Sequence, residues 1–215
     1  MVDPVETPGF SRAFRDDLNR LMAWRRDVRS FRTDPLDPQV LDTCLSTMSL
    51  APSVGLSEPW RIVRVASEDA RRHALDNFRK ANADALAGYH GEDARLYSGL
   101  KLSGMTQAPV QLAMFCDEAT TQGRGLGTRT MPEMRRYSVV CAIQQFWLAA
   151  RAHDVGVGWV SILDPVQLAR DLDVPDEWKL IAYLCVGYPE SSSDIPELSR
   201  VGWQERSGPP TIFDR

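Results

Sequence analysis

Four cysteines in 215 residues, with no CxxC pair among them, are too few and too scattered for a disulfide framework or a thiolate metal site. Cys44, Cys116, Cys141 and Cys185 each have apolar neighbours, which predicts buried small hydrophobes in a reducing compartment and a cytoplasmic protein. The three histidines, His73, His90 and His153, show no ligand spacing, so no metal is expected. Long hydrophobic runs are also missing, and "MVDPVETPGFSRAF" has no apolar core, which excludes a membrane span or signal segment from the sequence reading. Charge of one sign is lacking as well. With 25 basic and 29 acidic side chains the net charge is -4, which gives no basis for binding nucleic acid.

What is present is ordinary globular composition, 43% apolar and 25% charged, enough for one core. A single domain over residues 1–215 is expected, with a Pro-rich leader at 1–10 and a polar, Pro-rich C-terminal extension at 189–215. Phe14, Leu18, Leu21 and Met22 recur at helical spacing behind Ser11, a credible N-cap. A second helix is predicted from Asp37 to about Leu50, opened by Asp-Pro. "WRIVRVA" alternates like a strand, and a charged helix follows from about Glu68 to Ala87.

Residues 88–107 carry four glycines and look irregular, a possible mobile cover, before the strand "PVQLAMFCD". Gly123, Gly125 and Gly127 lie in a loop whose spacing is not the GxGxxG of a dinucleotide site. Met134 to His153 reads as a helix apolar on most sides, central or at a subunit interface. The strand "VGVGWVSIL", a short helix near 165–172 and the strand "WKLIAYLCVGYP" complete a layered helix-and-sheet pattern.

Three features could carry chemistry. Arg25-Arg26-Asp27-Val28-Arg29 closes the first helix, and guanidinium forks match phosphate oxygens; the same cluster also fits a solvated helix end with Asp27 neutralising its neighbours. "APSVGLSEPW" is a stiff loop whose prolines flank the hydroxyls of Ser53 and Ser57, suited to a polar ring edge or a phosphate, or simply a turn into a strand. Ser161 interrupts an apolar strand, where a hydroxyl either bonds backbone or faces a ligand.

Taken together, "RRDVRSF", "APSVGLSEPW", the 134–153 helix, "GVGWVSI" and "LCVGYP" resemble, in order and spacing, the nitroreductase-like flavoprotein family over about residues 12–206. The resemblance implies an α+β fold: a central, mostly antiparallel sheet flanked by helices, assembled as a homodimer with the pocket shared between subunits. It implies that Arg25, Arg26, Asp27, Val28 and Arg29 contact the phosphate and ribityl chain of FMN, with Ser53 in a loop beside the ring system and Arg206 as a further phosphate contact. Two departures matter. Asp27 stands where ordinary nitroreductases usually have Ser, and Glu58 stands where Gln is usual.

These departures, with "QAPVQLAMFCD" and "GRGLGTRTMPEMRRYSVVCAIQQFWLAARAHDVGVGWVSILDP", narrow the resemblance to a branch that consumes its flavin. Reduced FMN is then the substrate. It is cleaved with O2 to 5,6-dimethylbenzimidazole, the lower ligand of cobalamin, and erythrose 4-phosphate is released. Asp27 is the expected proton carrier and Ser161 the residue that holds the flavin edge, under a cover drawn from residues 88–108 or 120–132. A separate flavin reductase is expected to supply the reduced flavin. Two other readings are an NAD(P)H-dependent FMN nitroreductase or enone reductase, and a non-catalytic flavin-binding protein.

Overall fold

A computed structural model describes residues 9–100 and 103–215, so most of the leader and two residues of the expected cover lie outside the described residues. Helix α1 (Arg12–Trp24) starts at Ser11, whose Oγ accepts the Phe14 N–H at 3.1 Å. Helix α2 (Pro38–Ser46) starts at Asp37, whose carboxylate accepts the Gln39 N–H at 2.8 Å. The expected run to Leu50 is not one helix: it tightens into a 3₁₀ turn over Thr47–Leu50. The hydroxyls of Ser46, Thr47 and Ser49 each donate to a carbonyl three residues back, at 2.7 Å, and compete with the α-helical ladder.

Strand β1 (Trp60–Arg64) leads into helix α3 (Glu68–Ala87), capped by Ser67 and acidic in its first turn. Residues 88–107 are more regular than their glycines suggest. They form helices α4 (Gly91–Gly99) and α5 (Gly104–Gln107), with those glycines at the helix boundaries. Strand β2 (Val110–Asp117), helix α6 (Met134–Ala152), strand β3 (Gly156–Val160), helix α7 (Pro165–Asp171), strand β4 (Trp178–Gly187) and helix α8 (Glu197–Arg200) follow.

The strands pair antiparallel in the order β1-β2-β4-β3, so β2 and β4 are central. Side-chain alternation divides β2 between two layers. Leu112, Met114 and Cys116 pack with Ile143 and Phe146 of α6 and Leu41 of α2. Ala113 and Phe115 pack with Phe78 of α3 and Leu168 of α7. Helices therefore cover both faces, and β4 is buried from Ala182 to Gly187. A buried polar pair fixes α5 to the sheet: Tyr183 Oη donates to Gln111 Oε1 at 2.5 Å, and Gln111 Nε2 donates to the Met105 carbonyl at 2.9 Å.

All four cysteines are free, and Cys44, Cys116 and Cys185 are buried as expected. Cys141 is not: it lies exposed on α6, because that helix turns only part of its circumference to the core. No helix among the described residues is long and apolar enough to cross a membrane.

Candidate functional site

After α1 the backbone turns extended at Arg25, and residues 27–28 run alongside β3. Asp27 forms a parallel bridge with Val157, and the Val28 N–H donates to the Val157 carbonyl at 3.0 Å. The approach is close enough to require glycine at two positions of "GVG". A Cβ on Gly156 would lie 2.8 Å from Val28 Cγ2, and one on Gly158 would collide with the Val28 carbonyl oxygen.

This pairing fixes Asp27. Its Oδ1 accepts the Trp159 N–H at 2.8 Å, and its Oδ2 lies 3.5 Å from Arg29 Nε. The side chain keeps 39% of its surface open, yet the surrounding protein displaces enough water to raise its pKa. Burial outweighs the Trp159 hydrogen bond and the Arg29 charge, both of which act to lower it. A carboxyl whose pKa is raised above its ordinary value holds a proton more readily than a free one, which suits it to exchanging protons.

Arg29 is more enclosed than Asp27, and its Nε and Nη1 are buried without a hydrogen-bond partner among the described residues. Buried donors left unmade are costly, so these two fit acceptor atoms of a ligand, such as a flavin ring edge or phosphate. Asp27 and Arg29 border a 20 Å³ recess with Gly104, Met105, Gly158 and Cys185. Burial pushes the Cys185 thiol up to about 12, so at neutral pH it is an uncharged wall and no nucleophile.

The other arginines gather on the same segment. The Arg25 guanidinium lies 4.6 Å above the Trp147 ring of α6, and Arg26 donates through Nε and Nη2 to the Asp194 carbonyl. Burial lowers the pKa of both; beyond that, Asp27 raises Arg25, while Arg206 opposes the charge on each. Arg25, Arg26 and Arg206 are thus near enough to repel one another. None of the ion pairs among the described residues includes any of the three. Such a cluster fits an anion.

Beside it lies a 310 Å³ cavity lined by Arg26, Asp27, Arg29, Arg151, Arg200 and Ser192, among others. Arg151, Arg200 and the serines at 191–193 went unnoticed in the sequence because "ESSSD" reads as solvent-facing tail. Gly99 and Met105, both within the expected cover at 88–108, do border the two cavities.

Two expected residues stand apart. Strand β3 ends at Val160, so Ser161 follows the strand and does not interrupt it; its side chain is exposed and makes no hydrogen bond among the described residues. Ser53 belongs to a loop docked at the other end of α6. Its Oγ accepts the Glu58 N–H at 3.2 Å, and the Val54 N–H donates to Ser138 Oγ at 3.0 Å. Ser138 precedes Trp147 by nine residues, about 13 Å along the helix axis. Glu58 has a local partner, since Gln122 Nε2 donates to its carboxylate at 3.3 Å and to the Leu56 carbonyl at 2.9 Å.

A family model described as "Nitroreductase family" matches residues 22–188. The 5,6-dimethylbenzimidazole synthase of Rhodospirillum rubrum is 54% identical over 205 residues, covering 95% of this chain and 97% of that protein. A 5,6-dimethylbenzimidazole synthase of Rhodobacter capsulatus is 46% identical over 206 residues, covering 96% and 99%. Among solved structures, oxidised iodotyrosine deiodinase bound to FMN and 3-iodo-L-tyrosine superposes with a TM-score of 0.71 at 19% identity, covering 92% of this chain and 97% of that one, a likeness of fold.

Proposed function

The chain belongs to the nitroreductase family, and from that premise we propose that it is a 5,6-dimethylbenzimidazole synthase, an oxidoreductase that cleaves reduced FMN with O2 and releases erythrose 4-phosphate. The observation that carries the reading is the Asp27 carboxylate, fixed by the Trp159 N–H beside Arg29, whose Nη1 has no protein partner and whose Nε has only the long 3.5 Å contact with that carboxylate. When bound, reduced FMN supplies both the electrons for oxygen and the carbon atoms of the product.

The residues then divide the work. Arg29 donates through Nη1 to ligand acceptors that the protein does not itself provide. Arg25, Arg26 and Arg206 hold the phosphate, and Val28, pressed onto Gly156 and Gly158, fixes the backbone beneath the ribityl chain. Asp27 accepts and returns protons at Oδ2 while Oδ1 stays anchored. Met105 and Gly99 exclude water from above. Ser161, with no protein partner, has a hydroxyl available to the flavin edge. Ser53 reaches a flavin only across a subunit boundary, which supports a homodimer with shared pockets. The free cysteines support a reducing, cytoplasmic setting. With no dinucleotide fingerprint, the reduced flavin comes from a separate reductase.

The test is to mix the protein with chemically reduced FMN in air and analyse the products by mass spectrometry. 5,6-Dimethylbenzimidazole is expected, formed at the expense of the flavin. Survival of FMN through many turnovers with NADPH and nitrofurazone would instead make the protein a conventional reductase. Flavin binding without either outcome would make it a carrier.

Arg25→Ala and Arg29→Ala are each expected to weaken FMN binding by about 1.5 to 3 kcal/mol, the range for a hydrogen bond to a charged group. Flavin already bound to the Arg25 variant should react nearly as in the parent protein, whereas loss of Arg29 also removes the charge beside Asp27. Equilibrium titration of FMN into both variants measures this, and unchanged affinities would remove these arginines from the site.

A further inference from the structure

Arg25 makes an unusual contact for a residue of an anion site. Its guanidinium donates no hydrogen bond to the protein among the described residues, and its central carbon sits over the indole of Trp147, 4.6 Å from the ring centroid. A guanidinium held over an indole by its positive charge spends none of its N–H donors on the ring, so they stay available to a phosphate. Trp147 is itself held: it is only 7% exposed, in a row of α6 with Ile143, Phe146 and Ala150, and its ring meets that of Trp159 at 6.2 Å and 41°. The Trp159 N–H in turn anchors Asp27. The aromatic pair therefore backs the cationic part of the segment, while the backbone of the same Trp159 holds the carboxylate part.

We infer that Trp147 is a positioning residue that holds Arg25 against repulsion from Arg26 and Arg206, with its N–H edges toward the ligand phosphate, and so sets the preference for FMN over riboflavin. The inference rests on the flavin reading above. A Leu side chain, smaller than the indole, would keep the position apolar but offer no quadrupole, and the guanidinium would be free to swing into solvent.

The experiment compares FMN and riboflavin, which differ only in the phosphate, by equilibrium titration into the wild-type protein and the Trp147→Leu, Trp147→Phe and Arg25→Ala variants at two salt concentrations. Trp147→Leu is expected to weaken FMN by about three- to tenfold, to leave riboflavin within twofold, and to flatten the salt dependence of FMN binding. Trp147→Phe should fall between Leu and the parent, and it serves as the test if the Leu variant does not fold. Equal weakening of both flavins by the Trp147 variants would make Trp147 a packing residue and overturn the inference, as would an unchanged ratio. If Arg25→Ala itself fails to discriminate between the two flavins, the phosphate assignment falls. If it discriminates while the Trp147 variants do not, the phosphate assignment stands and only the role of Trp147 is lost.

Discussion

Asp27→Asn is expected to lower the yield of 5,6-dimethylbenzimidazole per FMN oxidised by about a hundredfold or more, the usual loss when a positioned proton carrier is removed. Flavin binding should survive, because the amide keeps the size of the carboxyl and its oxygen can still accept the Trp159 N–H. The electrons then leave as hydrogen peroxide. Stability should move the other way. Burial raises the Asp27 pKa above its ordinary 3.8, so between that value and the raised one the folded chain binds the proton more readily than the unfolded chain does.

The contribution of Asp27 to stability therefore falls as pH rises through that window, and at neutral pH its charge opposes folding. The Asn variant should be at least as stable as the parent at pH 7, with its relative advantage shrinking as the pH is lowered to about 3.8. Product and peroxide yields in air, with thermal denaturation at several pH values, test both halves. A destabilised Asn variant with wild-type yield would leave Asp27 as only a counter-ion to Arg29.

Gly158→Ala is expected to cost about 3 kcal/mol, the upper end for overpacking, because the added methyl meets the Val28 carbonyl oxygen and backbone cannot rotate away as a side chain can. For a chain of this size that is a fall in melting temperature of roughly 6–12 °C. Relief requires residues 27–29 to lift off β3, which breaks the Val28 N–H bond to Val157 and the Trp159 N–H bond to Asp27 together. FMN affinity and product formation should collapse with the melting temperature. Gly9→Ala, where a Cβ meets nothing within 4 Å and which borders neither cavity, is the control. A Gly158→Ala protein with parental melting and turnover would show that the segment tolerates displacement.

Caps made the fold legible. Ser11, Asp37 and Ser67 each begin a helix where the sequence places them, and Met134 opens α6 as expected. Local competition hid what followed Ser46, where three hydroxyls turn the helix into 3₁₀ geometry. In the site, the arginines and Asp27 stood out because charge at a helix end is visible in sequence. Their positioning groups did not: the Trp159 donor is backbone, and Trp147 reads as one more apolar residue of α6. Ser53 was legible as a turn residue but not as to which end of α6 receives it, since that depends on the hydrogen bond from the Val54 N–H to the Ser138 hydroxyl, 84 positions apart along the chain.

The pairing of Asp27 with β3 also sets a clock on biosynthesis. The Trp159 donor lies 132 positions downstream of the carboxylate it anchors, and β3 enters the sheet only through β4, which ends at Gly187. At translation rates of 5–20 residues per second, Asp27 waits roughly 7 to 26 s for Trp159 to be synthesised, and longer for β4. Closing so distant a contact is among the entropically slowest events in a domain, and it follows formation of the β1–β2 pair and the local helices. On the proposed reading, a nascent chain whose sheet is incomplete does not yet hold flavin, and the first flavin capture by ribosome-bound chains of increasing length would mark when the residues beyond β4 have joined the site.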